Sequence, residues 1–356
     1  MVYYLLLLVY LLYVHYLRLA TRVQLSLSFL ALFVFSSLRF NAGYDYPVYY
    51  HFIQSGDVDR FEPLSRVLMG LGDATDPAVF FVLSSALVVL FYYLAFNRYC
   101  QAHRLSQIGI FSFLCLPMAF LDSLGVVRQF VAIAIFVYVA SQIGRNLLWS
   151  LGLMLLAALF HASVIILIPL VLLRKHLARL LDVRLYILLW SLALVLGSSM
   201  IRQVSTWTGW YSYYFEYQLS DSGYKIYALM CCVFIYFLLN RKKIAVDANH
   251  GYLFNCFFLG ILLYSAALPF GIHVSRISWA LLAVHPLLFS VVLTGKSDGE
   301  RSFFIAGCIG VLAILMLLAY RNPERDPLNQ YEPFFVYDRA QRDLIMERSI
   351  PEDARL

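Results

Sequence analysis

The run Leu147-Leu148-Trp149-Ser150-Leu151-Gly152-Leu153-Met154-Leu155-Leu156-Ala157-Ala158-Leu159-Phe160-His161-Ala162-Ser163-Val164-Ile165-Ile166-Leu167-Ile168-Pro169-Leu170-Val171-Leu172-Leu173 decides how this chain is organised. As one helix its 27 residues would reach about 40 Å, against a bilayer core of about 30 Å. Arg145 precedes it, and Arg174, Lys175, Arg179 and Arg184 follow. A single crossing would put these basic segments on opposite sides. A fold-back near Phe160-His161-Ala162-Ser163 keeps both on the cytoplasmic side, where short loops collect Lys and Arg. The length and charges therefore predict a re-entrant pair of half-helices or two short spans, with His161 at the tip. Non-helical backbone at that depth must line a cavity or be buried in protein, so His161 is a candidate site residue.

The rest of the 356-residue chain fits the same reading. Apolar residues make up 62% and charged residues 13%, about half the usual charged share. This excludes a soluble enzyme, a coiled coil and a disordered chain. Further apolar segments lie near 2–17, 23–38, 78–96, 105–121, 126–143, 185–200, 225–240, 251–267, 277–293 and 303–320. The expected fold is an all-α integral membrane protein with about ten full transmembrane helices plus the short pair. The first segment lacks a basic region ahead of it and reads as a span, not a cleaved signal peptide. The six cysteines, five of them in apolar runs and none in a CxxC pair, read as apolar fillers.

Assigning loops 18–22, 97–104, 144–146, 174–184, 241–250 and 294–302 to the cytoplasm collects fourteen of the 27 Lys and Arg there. Only Asp182, Asp247, Asp298 and Glu300 of the 21 acids join them. The long polar stretches 39–77 and 201–224 and the tail 321–356 then face outward. This divides the chain into a polytopic catalytic domain, 1–320, and an outward C-terminal tail, 321–356.

Chemistry-bearing residues gather at the outer ends of spans. Arg39 leaves a span and is followed by Gly43-Tyr44-Asp45-Tyr46-Pro47-Val48-Tyr49 and, later, Glu62-Pro63. Carboxylates and ring faces of this kind suit a sugar. Asp122 precedes Arg128-Gln129, which opens another apolar run. A charge at depth is costly and usually faces the bundle interior. His273 and Arg276 stand three apart and share a helical face. Arg39, Arg128, Arg202 and Arg276 all lie at outer span ends. Arginine's planar fork pairs bidentately with phosphate, so this pattern suggests an anionic lipid headgroup such as a lipid diphosphate. Trp207 to Tyr217 reads as an interfacial aromatic segment. Nucleotide-phosphate motifs, HExxH and nucleic-acid signatures are absent.

With these residues in view, the chain resembles the EpsG-type branch of the Wzy-like polysaccharide polymerases. The likeness rests on Arg39…Gly43-Tyr44-Asp45-Tyr46…Tyr49, Glu62-Pro63-Leu64, Arg128-Gln129, Ala158-Leu159-Phe160-His161-Ala162-Ser163, Ser275-Arg276-Ile277-Ser278 and the tail Asn329-Gln330-Tyr331-Glu332-Pro333-Phe334. The family's usual Gly-Thr-Asp-Tyr is Gly-Tyr-Asp-Tyr here, and its Pro-Tyr tail is Pro-Phe, so the tail is given no catalytic part. The resemblance implies a fold like that of GT-C-type lipid-linked glycosyltransferases in a bacterial inner membrane, with its site facing outward. It implies transfer of a growing glycan from polyprenyl diphosphate to the non-reducing sugar of a new lipid-linked unit, without a nucleotide, metal or other cofactor. A chain-length regulator is a possible partner. On this reading Arg128, Arg276 and Arg39 bind the diphosphate, and Asp45, His161 and Glu62 are candidates for proton transfer. Tyr46, Tyr49, Gln129 and His273 are candidates for sugar contact. Competing readings are a ligase-type transferase with the same donor, and a transporter of lipid-linked sugar. The second would be expected to show internal repeats and mid-membrane polar groups.

Overall fold

The structure is a computed structural model that describes residues 2–17, 19–102, 108–209, 223–321 and 331–349. The helices before the fold-back are α1 (Val2–Tyr16), α2 (Thr21–Ser37), α3 (Tyr46–Ser55), α4 (Pro63–Ala74), α5 (Ala78–Ala102), α6 (Gly109–Cys115), α7 (Phe120–Gly125), α8 (Val127–Ala140) and α9 (Leu147–Ala158). After it come α10 (Ile168–Leu172), α11 (Arg174–Leu177), α12 (Val183–Thr208), α13 (Tyr224–Leu239), α14 (Arg241–Ile244) and α15 (Ala248–Ala267). The chain continues through α16 (Ile272–Ser275), α17 (Trp279–Leu282), α18 (His285–Leu293), α19 (Asp298–Arg321) and α20 (Arg339–Ser349). Among the described residues the strands are β1 (Arg39–Phe40) and β2 (Glu332–Pro333), which pair antiparallel with Arg39 opposite Pro333. The all-α expectation holds, and the chain is that of a multi-pass membrane protein.

The helix lengths are less uniform than the apolar segments suggest. Among the described residues five helical stretches are long and apolar enough to cross a bilayer: Ala78–Ala102, Val183–Thr208, Ala248–Phe270, Arg276–Leu293 and Asp298–Arg321. Shorter apolar helices fill the remainder. The expected continuous span 105–121 is interrupted. Leu116 precedes Pro117 and takes an extended conformation, φ −96° and ψ 151°, as a pre-proline residue prefers. Met118 follows in the left-handed region, φ 62°, and α7 starts anew. The segment 277–293 turns between Leu282 and His285, just ahead of Pro286. Every residue of α8 except Arg128 is buried, so this short helix forms the centre of the bundle.

Long helices surround that centre. On α1 the buried residues Tyr4, Leu7, Leu8, Leu11 and Val14 follow a helical stripe, while Leu5, Leu6 and Val9 stay exposed, as a lipid-facing surface allows. A Cβ placed on Gly197 of α12 would fall 2.5 Å from the Ala266 Cβ of α15. Glycine here sets the close approach of two helices, the small-residue packing typical of membranes.

The run 147–173 folds back. Helix α9 ends at Ala158, and a 3₁₀ segment Ala162–Leu167 leads into α10. The two ends meet: Arg174 Nη2 donates to the Arg145 carbonyl at 2.7 Å. Helix ends leave carbonyls without intrahelical partners. Here α4 supplies them, with Leu64 N donating to Leu159 O at 3.0 Å and Ser65 Oγ to Phe160 O at 2.8 Å.

A second, smaller core lies over one end of the bundle. It gathers Phe40, Tyr46, Tyr49, Tyr50, Ile53, Phe61, Met69, Phe80, Phe81 and Val127 with Met346 of the tail. The tail is fixed at both ends of its course. Tyr331 stacks on Phe35 at 4.3 Å, and Phe334 N donates to Leu38 O at 2.8 Å. Farther along, Asp343 accepts from Tyr50 and Gln54, while Arg342 pairs with Asp76. Segments 39–77 and 331–349, which charge placement puts on one side, thus form one layer.

Candidate functional site

Glu62 is the hub of the site and stands at the N-terminus of α4. The preceding turn and Pro63 give it an extended backbone, φ −63° and ψ 152°, and its side chain does not cap its own helix. The carboxylate instead turns across to the fold-back. Oε1 accepts the Ala162 N–H at 3.1 Å, and Oε2 pairs with Arg128. His161 Nδ1 lies 3.1 Å from Oε1. That contact suffices for an ion pair when the ring is protonated, although it is not aligned as a hydrogen bond. One carboxylate therefore ties together α4, the fold-back tip and the start of α8.

Arg128 is held on three sides. Its Nε donates to the Tyr49 hydroxyl at 3.1 Å, and its guanidinium lies 4.4 Å from the Phe61 ring centroid and 5.5 Å from that of Tyr49. Next to it, Gln129 Nε2 donates to the Arg276 carbonyl at 3.2 Å. This joins the start of α8 to the 3₁₀ turn Arg276–Ser278. The Arg276 guanidinium lies 5.5 Å from the Trp279 ring centroid. Among the described residues it makes no ion pair, and its buried Nε has no hydrogen-bond partner. Of the two arginines, Arg276 keeps the greater unspent capacity for an anion.

The two carboxylates differ in charge state because their surroundings differ. Burial works against ionised Glu62, but the His161 contact, the Arg128 charge and the Ala162 N–H outweigh it and lower the carboxyl to about 2. Glu62 is a fixed anion and a poor proton carrier. At Asp45 burial dominates and raises the carboxyl above its ordinary value, against the opposing charges of Arg276 and Arg128. Asp45 is the N-cap residue of α3, yet its side chain does not cap that helix. Gly43 places it: φ is +115°, and a Cβ there would sit 2.1 Å from Leu124 O. Only glycine lets the loop press against α7 so closely. Burial pushes the Tyr49 phenol up to about 12, so it stays neutral beside Arg128.

The structure thus brings together Asp45, Tyr49, Glu62, Arg128, Gln129, His161 and Arg276. It does not bring Arg39 or Tyr46 into this group. Arg39 is buried and donates to Ser36 O and to Ser85 Oγ, the latter at 2.8 Å. It closes the end of α2 as a basic residue after a helix does. Its position directly after the C-cap residue of α2 was the signal for that role. Tyr46 is fully buried, stacked on Phe81 at 3.8 Å, with no surface for a sugar to meet. The side chain of His273 and residues 210–217 of the aromatic segment lie outside the described residues. Sequence reading missed Phe61 and Trp279, the aromatic seats of the two arginines. Each is within three residues of a charged site residue, which is the one trace it leaves.

A family model described as the EpsG family matches residues 22–337, nearly the whole chain. No curated protein and no solved structure matches the chain.

Proposed function

Since this chain belongs to the EpsG family, whose members are of the polysaccharide-polymerase type, we propose that it polymerises polyprenyl-diphosphate-linked oligosaccharide units. The glycan leaves its lipid diphosphate and joins the non-reducing sugar of a second lipid-linked unit. The supporting observation is that Arg128 and Arg276, each set on an aromatic ring, are joined through Gln129 beside the Glu62 carboxylate, with the buried Asp45 carboxyl within reach of both their charges. The bond between the anomeric carbon and the diphosphate oxygen breaks, and a bond to the acceptor hydroxyl oxygen forms. Asp45 takes the hydroxyl proton, a help commonly worth about 10²–10⁴-fold. Arg276, with Arg128, balances the charge that develops on the departing diphosphate, where a preorganised and water-poor setting strengthens the interaction. Glu62 and His161 hold Arg128 and the fold-back tip in register. The orientation we propose places this site on the outer face of a bacterial inner membrane.

The test is incubation of the purified chain with a defined polyprenyl-diphosphate oligosaccharide and no nucleotide sugar. A ladder of products spaced by one repeat unit supports the proposal. Translocation of the lipid without glycan growth would assign the chain to transport instead.

A further inference from the structure

An apolar groove of about 580 Å³ opens on the bundle surface between α13, α18 and α19, on helices that contribute none of the candidate site residues gathered above. Its walls include Val233, Phe289, Leu293, Phe304, Val311 and Leu116. The volume falls within the range of roughly 300–1,000 Å³ usual for small-molecule sites. Along α19 it runs from Glu300 to Val311, about 16 Å at ~1.5 Å per residue, or about half a bilayer core. Among the described residues no neighbouring helix closes the space. Beyond the backbone of α19 itself, no described atom lies within 4 Å of where a Cβ on Gly307 would sit, and Phe303 at the rim is 83% exposed.

The groove has a polar end. Lys296, Gly299 and Glu300 line its mouth, and Lys296 Nζ bonds Glu300 Oε1 at 2.5 Å. Lys243 stands beside it, its Nζ donating to Val292 O at 2.9 Å and Thr294 O at 3.0 Å. An ammonium carries three donors, so one remains. Loops 241–247 and 294–301 together hold Arg241, Lys242, Lys243, Lys296 and Arg301 against Asp247, Asp298 and Glu300, a net charge of +2. Burial, and then the charges of Lys296 and Arg301, push the Lys243 ammonium down against the opposing charge of Glu300.

We propose that this groove is a binding site for an anionic glycerophospholipid, with an acyl chain along α19 and the phosphate at Lys243 and Lys296. An apolar channel of one-leaflet length, ending in basic residues between helices, matches the two halves of such a lipid. Basic pockets between membrane helices bind anionic headgroups in this way. A zwitterionic lipid would fill the channel equally well but would gain less at the lysines, because its own cation offsets its phosphate.

The experiment is native mass spectrometry of the full chain in detergent, with added phosphatidylglycerol or phosphatidylcholine of identical acyl chains. Phosphatidylglycerol should be retained at least tenfold better. Lys243→Gln and Lys296→Gln should each weaken it about fivefold. Gly307→Leu should abolish retention by filling the channel, with helical content by circular dichroism unchanged because the added side chain enters open space. If Lys243→Gln fails to fold, Lys296→Gln and Gly307→Leu still decide. Equal retention of the two lipids, or undiminished retention in both folded variants, overturns the site. Displacement of phosphatidylglycerol by inorganic phosphate would reduce the mouth to an ion site. Displacement by polyprenyl phosphate would give the groove to a substrate tail. Either also overturns the proposal. None of these readouts depends on polymerase activity.

Discussion

Glu62→Gln isolates what the central carboxylate does, because it removes the charge and keeps the shape. The carboxyl is held at about 2 against an ordinary value of 4.5, a difference of about 2.5. At ~1.36 kcal/mol per unit this is about 3.4 kcal/mol favouring the folded state. The Glu62 side chain keeps 19% of its surface exposed and Arg128 16%, so solvent screening brings the figure to about 2 kcal/mol. The folded carboxyl is depressed, so this stabilisation is complete above about pH 4.5 and is lost as the pH falls toward 2. The assay is a double-mutant cycle of Glu62→Gln and Arg128→Gln, read by thermal unfolding in detergent at pH 7. The expected coupling is about 1–2 kcal/mol, shared with His161 and Ala162. Glu62→Gln alone should also expose the tip to a thiol reagent at a cysteine placed at Ser163. A coupling below about 0.5 kcal/mol would mean an ordinary surface pair, and the hub role assigned to Glu62 would fail.

Asp45→Asn should bind lipid-linked donor but form no ladder, and an Asp45→Asn variant polymerising at the parental rate would remove Asp45 from proton transfer. Because burial raises the Asp45 carboxyl and the base acts when ionised, activity should rise with pH through a limb above the ordinary carboxylate value near 3.8; a limb at or below that value contradicts the assignment. Arg276→Lys should impair polymerisation strongly, since lysine keeps charge but loses the fork; near-normal ladders from Arg276→Lys would argue for charge anchoring alone. Gly43→Ala should cost at least about 2 kcal/mol, as positive φ and a 2.1 Å approach to Leu124 O forbid the methyl, and a neutral result in thermal unfolding would mean the loop packs differently. Cysteines at Arg145 and Arg174 should be labelled from the same side of the membrane, and opposite-side labelling would exclude the fold-back.

The fold-back was legible because two independent constraints, length and basic flanks, pointed to one break. The helix count was less so: apolar runs do not reveal where Pro117 or Pro286 interrupts them, because composition averages over the interruption. At the site, charged residues at span ends stood out against an apolar background, and Asp45, Glu62, Arg128, His161 and Arg276 were all visible this way. Their pairing was not. Glu62 and Ala162 are 100 positions apart, and nothing local announces that a helix N-terminus will meet a hairpin tip. Arg39 misled for the same reason, since an arginine leaving a span looks alike whether it faces a ligand or closes a helix.

The tail carries a consequence for how the protein is made. Met346 fills the small core around Tyr46 and Tyr50, and Glu332–Pro333 pairs with Arg39–Phe40. Ribosomes deliver residues 331–349 after the five long apolar stretches described above have emerged. The layer bearing Glu62 and Tyr49 therefore waits, with Phe40, Phe80 and Phe81 incompletely covered, until that stretch arrives. Sealing of the layer follows insertion of those helices, and a chain terminated before residue 331 would enter the bilayer with its helices in place and that layer open.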